Sequence, residues 1–220
     1  METKKKLAEI FSIVTKRILT GVVKSDKLKW QQTWKYKLHK GKIASGYLCL
    51  KQKIACLPKS NPAIPQCEAV ISNLCLPPDV IHRPVRPVYY PSDDSIFLPH
   101  RKHYNNSGRY YSSLFHELIH ATGHGMRLNR KEIMKFTCRS EMETAREELV
   151  AEIGTCFLLY FMGITEGIRN NIAYIQMWGY CFEKSYQKRA IIKASEKAHA
   201  AAEYLLITGA KQKGGEDERQ

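Results

Sequence analysis

The sequence contains no C-x-x-C pair, and its seven cysteines (Cys49, Cys56, Cys67, Cys75, Cys138, Cys156, Cys181) are odd in number. Both facts argue against a disulfide framework. Long apolar runs are missing too: the longest uncharged stretch around a core-like run, Ile153 to Thr165, is too short to cross a bilayer. The opening Met1-Glu2-Thr3-Lys4-Lys5-Lys6 is basic, but Glu9, Lys16 and Arg17 interrupt the apolar residues that follow and no small-residue cleavage site closes them. A secretory signal is therefore not expected. No internal repeat is present. These absences predict a soluble cytoplasmic protein of a reducing compartment, without a membrane partner.

Acidic residues are scarce where basic ones crowd. Residues 1–60 hold 15 Lys/Arg against 3 Asp/Glu, leaving 20 against 18 for the rest of a 220-residue chain whose formal charge is +14. The excess belongs to the N-terminal quarter and points to a polyanion partner. Residues 4–20 space Leu7, Ile10, Phe11, Val14 and Ile18 helically, with lysines on the other side, so the first element is an amphipathic basic helix needing a partner for its apolar face. Beyond it, Lys29, Trp30, Trp34, Lys35, Tyr36, Lys37, Lys40 and Lys42 interleave bases with aromatics. That composition suits single-stranded DNA, with lysines on phosphates and rings stacked on bases. Trp30 and Trp34 serve equally well as core residues of a small module.

The chemistry is concentrated in Leu114-Phe115-His116-Glu117-Leu118-Ile119-His120-Ala121-Thr122-Gly123-His124. On a helix, residues four apart share a face, so His116 and His120 can reach one metal ion, while Glu117 stands beside them as a candidate general base. Ser107-Gly108 can open this helix, and Gly123 and Gly125 offer stops, which puts His124 at or beyond its end. His124 is a third ligand only if the helix runs on; otherwise it lines the cleft or bonds a ligand. A better source of a third ligand is Ala145-Arg146-Glu147-Glu148-Leu149-Val150-Ala151-Glu152-Ile153-Gly154, where Glu148 and Glu152 share a face. Such a pair is ordinarily a solvated acidic face, but a divalent cation reverses that logic: one carboxylate ligates and the other orients a ligand histidine.

Around these stretches, Pro58, Pro62 and Pro65 mark a connector, and Gln66 to Leu76 reads as a short helix. Gly46 to Leu50 suits a short strand. Val88-Tyr89-Tyr90-Pro91, a Ser92-Asp93-Asp94-Ser95 turn and Ile96-Phe97-Leu98-Pro99 read as a hairpin. The acidic helix is expected to end at Gly163. A segment with Ile172, Tyr174, Ile175, Trp178 and Phe182, then a last helix with Ile191, Ile192, Ala198, Ala202, Leu205 and Leu206, supply packing. The tail has almost nothing apolar to bury and is expected to be disordered. The expected division is a basic module over 1–60, a domain over 61–209 and a tail over 210–220.

With these pieces in order, the chain resembles the ArdC-type plasmid antirestriction family. The resemblance covers roughly residues 66–208 and is carried by Val88-Tyr89-Tyr90-Pro91, Ile96-Phe97-Leu98-Pro99 and Tyr110 to Phe115 leading into His116 to His124. It continues in Arg127-Leu128, Ala145 to Glu152, Ala173 to Trp178 and Ala201 to Leu206. It implies an α+β fold: a mostly helical zincin-like metallopeptidase domain with a small antiparallel sheet, behind a small N-terminal module. It also implies Zn²⁺ or another divalent metal on His116, His120 and Glu148, with Glu152 supporting a histidine as in gluzincin-like enzymes. The implied activity is hydrolysis of a peptide bond in an unidentified protein substrate, on or near DNA. The N-terminal part departs from the family, lacking much of its β-rich DNA-binding portion. Two other functions fit the residues: an antirestriction factor that binds nucleic acid and uses the metal only structurally, and a host-directed toxin protease.

Overall fold

The computed structural model describes residues 2–25, 61–134 and 140–207. In chain order it contains helix α1 (Glu2–Ser25), α2 (Pro65–Ser72), strands β1 (Asp79–His82), β2 (Val88–Tyr90) and β3 (Ser95–Leu98), then α3 (Ser107–Ala121), α4 (Lys131–Met134), α5 (Glu141–Phe161), α6 (Ile168–Gly179) and α7 (Lys184–Ile207). The axis of the domain is α5. Its residues from Leu149 to Leu159 are all buried, so it is covered on every side, as an all-round apolar sequence requires. Its start is fixed by a capping box: the Ser140 hydroxyl accepts from the Glu143 amide and the Glu143 carboxylate accepts from the Ser140 amide. Its end comes at Phe161, with Gly163 taking a positive φ of 71° just beyond. Helices α3, α6, α7 and α1 pack around it.

The partner that α1 needs is therefore this same core: Ile10, Val14 and Ile18 are buried, and Phe11 meets Phe157 at 5.4 Å between ring centroids. The rest of the basic module, including Lys29 to Lys42 and the expected strand at Gly46 to Leu50, lies outside the described residues, as does the 210–220 tail. The hairpin forms as β2 and β3, antiparallel, with Tyr89 opposite Ile96. The sheet is mixed, however, because β1 adds parallel to β3 in the order β1-β3-β2. This corrects the expectation of an antiparallel sheet. The sequence reading missed β1, whose two central apolar residues sit between Pro77-Pro78 and Pro84 and carry little strand signal. The sheet turns Tyr89, Ile96 and Leu98 inward, toward α3. No helix of the described residues is long and apolar enough to cross a membrane.

Candidate metal centre

Two helices build the site. The α3 helix starts at Asn106, whose side chain accepts from the Arg109 amide, and buries Tyr111, Leu114, Phe115, Leu118 and Ile119. That fixes its rotation, and the His116 and His120 rings emerge together with Nε2 atoms 3.2 Å apart. Against α3 lies α5, held close by Gly154: a Cβ there would stand 2.8 Å from Ile119 Cδ1. The approach brings Glu148 over the histidines, with Oε2 3.4 Å from His116 Nε2 and Oε1 3.8 Å from His120 Nε2. Donor atoms of His116, His120 and Glu148 all lie within 4.8 Å of one another.

The far nitrogens are also engaged. His120 Nδ1 lies 3.2 Å from Glu147 Oε1; an ionised carboxylate only accepts, so Nδ1 carries the hydrogen and Nε2 presents a lone pair to the centre. His116 Nδ1 faces Glu152 Oε1 at 3.6 Å, and Glu152 Oε2 accepts from the Asn171 amide at 2.7 Å. Acceptors thus converge, and a cation would complete them. Charge tells the same story. Burial disfavours a charged His116, yet Glu152, Glu148 and Glu117 around it push its pKa up to about 10. Burial, with Glu148 nearby, pushes Glu152 up to about 7 against the pull of His116 and Asn171. The donor set fits a divalent metal of the zinc or manganese kind.

Glu147 differs from its neighbours. Burial would raise it, but the Arg130 guanidinium and the bond from His120 outweigh that and hold it below the usual carboxylate range. Arg130 grips it twice, Nη2 to Oε1 at 2.7 Å and Nε to Oε2 at 3.1 Å. The same guanidinium donates to the Ile119 carbonyl at 2.6 Å and the Thr122 hydroxyl at 2.7 Å, closing the C-terminal end of α3. A second arginine, Arg127, donates to the Ala121 carbonyl at 3.0 Å and takes Asp94 of the β2–β3 turn in a two-pronged pair. The end of the histidine helix is thereby tied to α5 on one side and to the sheet on the other.

Glu117 is buried beside the triad and is not one of its members. Burial pushes its pKa up, with Glu148 adding to the rise and His116, His120 and a bond from the Tyr89 backbone amide opposing it. A cleft of about 130 Å³ opens here, lined by Pro87, Val88, Tyr89, Glu117, His120, Ile133 and Glu148. The β2 strand, at the sheet edge, forms one wall.

Of the residues singled out from the sequence, His116, Glu117, His120, Glu148 and Glu152 meet in one place. His124 does not join them: it follows the end of α3, half-buried, and its Nδ1 accepts from the Met126 amide at 3.3 Å. Lys29, Trp30, Trp34, Lys35, Tyr36, Lys37, Lys40 and Lys42 lie outside the described residues. Glu147, Arg130, Asn171 and Tyr89 were missed as site residues. Only Glu147 carried a signal, as the residue next to a candidate ligand on a buried helix.

A family model described as zincin-like metallopeptidase matches residues 66–197. The chain belongs to the zincin-like metallopeptidase family. The chain is 34% identical over 127 residues to DNA primase TraC of Escherichia coli, an overlap of 58% of this chain and 8% of that protein. It is 27% identical over 153 residues to the uncharacterized protein y4eC of Sinorhizobium fredii, 67% of this chain and 48% of the relative. Its fold is similar to the crystal structure of the antirestriction protein ArdC from plasmid R388 bound to Mn(II), with TM-score 0.56 and 30% identity over 70% of this chain and 56% of ArdC. The metal-free ArdC structure gives a TM-score of 0.55 at 31% identity, over 71% and 54%. The ArdC-type resemblance read from the sequence thus holds across this zincin-like domain. The chain spans about half of ArdC and a small fraction of TraC.

Proposed function

We propose that the protein is a divalent-metal-dependent endopeptidase of antirestriction type, acting on a protein substrate on or near DNA in the cytoplasm. The observation that carries this reading is the convergence of His116 Nε2, His120 Nε2 and the Glu148 carboxylate beside the buried Glu117. Zn²⁺ is the proposed ion, and the ArdC structure similar to this fold holds Mn(II) instead. When bound, a divalent ion supplies Lewis acidity toward a carbonyl and lowers the pKa of water toward about 7.

The chain's own residues do the rest. His116, His120 and Glu148 are the ligands, with Glu152 and Glu147 orienting the two rings. Glu117, made more basic by burial, takes a proton from water and returns it to the departing amine. The Tyr89 amide keeps its carboxylate aimed into the cleft. Of the basic module expected over residues 1–60, α1 packs on the domain core, and the part beyond it binds single-stranded DNA through Lys29 to Lys42 and their neighbouring rings. A Glu117→Gln protein tests the reading: it should keep its metal and lose cleavage of a fluorescence-quenched peptide library. Metal loss in that variant would mean that Glu117 is a ligand and the mechanism is wrong.

A second reading rests on the charge asymmetry of 15 Lys/Arg against 3 Asp/Glu in the first 60 residues. In it the protein is a nucleic-acid-binding antirestriction factor whose metal only holds the fold. Full protection of incoming DNA by Glu117→Gln, together with loss of protection on changing Lys35, Lys37 and Lys40, would select it.

A further inference from the structure

Ser112 stands one turn before His116, so Ser112, His116 and His120 share a face of α3. A chain of polar contacts leaves this face at Ser112 and returns to it at His116. The Ser112 hydroxyl donates to Asn171 Oδ1 at 3.1 Å, Asn171 Nδ2 donates to Glu152 Oε2 at 2.7 Å, and Glu152 Oε1 faces His116 Nδ1 at 3.6 Å. Helices α3, α6 and α5 are thereby closed into a ring. Asn171 and Glu152 are both buried, so each satisfies the other in place of water. The backbone fixes where Asn171 begins: α6 opens at Gly167, which takes a positive φ of 92° and whose carbonyl accepts from the Asn171 amide at 3.1 Å. A Cβ on Gly167 would stand 2.8 Å from Ser112 Oγ, so only a glycine lets the first turn of α6 settle on Ser112.

The amide suits its two neighbours. An ionised carboxylate only accepts, and the serine hydroxyl has a hydrogen to give, so a side chain with a donor at one end and an acceptor at the other matches both at once. Leucine, of similar size, offers neither. With Oε2 taken by Asn171, Glu152 keeps Oε1 for His116. We infer that Asn171 is a positioning residue for the metal centre: by holding Glu152 Oε2 it turns Oε1 toward His116, which keeps the hydrogen of that ring on Nδ1 and the Nε2 lone pair toward Glu148 and His120. Resting on the ligand set proposed above, this role extends the centre to α6 and to the turn of α3 before the histidines. Ser112 acts one step further back, through Asn171. The loss of Asn171 is felt at the metal only while Glu152 is there to be held, and this separates positioning from packing.

The test is the zinc affinity of the full chain, measured by competition with a chromophoric chelator in the parent, Asn171→Leu, Glu152→Ala and the double variant. Asn171→Leu should lower affinity about tenfold in the parent and by less than about twofold in the Glu152→Ala background. Ser112→Ala should lower it by a smaller factor, about threefold, with the same dependence on Glu152. The visible spectrum of the cobalt(II)-loaded protein reads the ligand geometry: Asn171→Leu should shift it in the parent and leave it unchanged in Glu152→Ala. Thermal unfolding of the metal-free proteins monitors folding, and where Asn171→Leu is misfolded, Ser112→Ala decides. Parental affinity in a folded Asn171→Leu protein, or equal losses in the two backgrounds, overturns the inference and leaves the ligand set standing. A parent without zinc affinity overturns both.

Discussion

Arg130 and Glu147 form a buried pair whose value lies in what each leaves behind. Glu147→Ala strands a guanidinium inside the protein and releases His120, so the metal-free protein should lose about 3–5 kcal/mol in chemical denaturation. Its metal affinity should fall about 10–100-fold. Glu148 and Glu152 separate by the same logic. Glu148 faces both Nε2 atoms and Glu152 only the far side of His116, so Glu148→Ala should abolish tight binding in a metal titration while Glu152→Ala costs about 10–100-fold. The reverse order would exchange their roles.

Asp94 supplies a pH signature away from the metal. Burial would raise its pKa, but Arg127 and the Tyr89 hydroxyl outweigh that and hold it below the ordinary value. A depressed carboxyl contributes stability that is present above the unfolded pKa of about 3.9 and is lost as pH falls through the lower folded value. The stability gap between the parent and Asp94→Asn in urea should therefore close as pH drops below about 4. A gap independent of pH would show that the pair contributes no charge-dependent stability.

At the scale of elements, the contact of α3 with α5 sets the site. Gly154 permits it, and Ile119 opposite is fully buried. Gly154→Ala should cost about 1–3 kcal/mol by overpacking and weaken the metal site as the helices part. Ile119→Val in the same chain should recover part of both, a coupling that a double-mutant cycle reads directly. The α3 helix was legible because its apolar residues follow the helical period and its two histidines stand four apart, and α5 because a long uncharged run follows the Glu148 and Glu152 pair. The end of α3 was not. Arg130 reaches Glu147 across 17 positions and Arg127 reaches Asp94 across 33, and nothing local in either arginine marks the partner. The β1 strand was hidden for a related reason: a parallel neighbour is joined by no tight turn, so no hairpin signal announces it.

Over the whole molecule, α1 joins the core of the zincin-like domain, and its apolar stripe read correctly as a face in search of a partner. The sequence could not name that partner, because Ile10, Val14 and Ile18 meet helices that come more than a hundred residues later. Ile18→Ala should accordingly destabilise the whole domain by about 2–5 kcal/mol, in one transition rather than two. The fold class and the metal helix were readable, whereas the mixed sheet and the buried arginine needed three dimensions. The central claim is that His116, His120 and Glu148 hold a divalent ion. Its most direct test is the metal content of purified parent and Glu148→Ala proteins by mass spectrometry after zinc loading and dialysis. The account predicts about one ion per chain in the parent and almost none in the variant; an empty parent, or a variant that keeps its full complement, would contradict it.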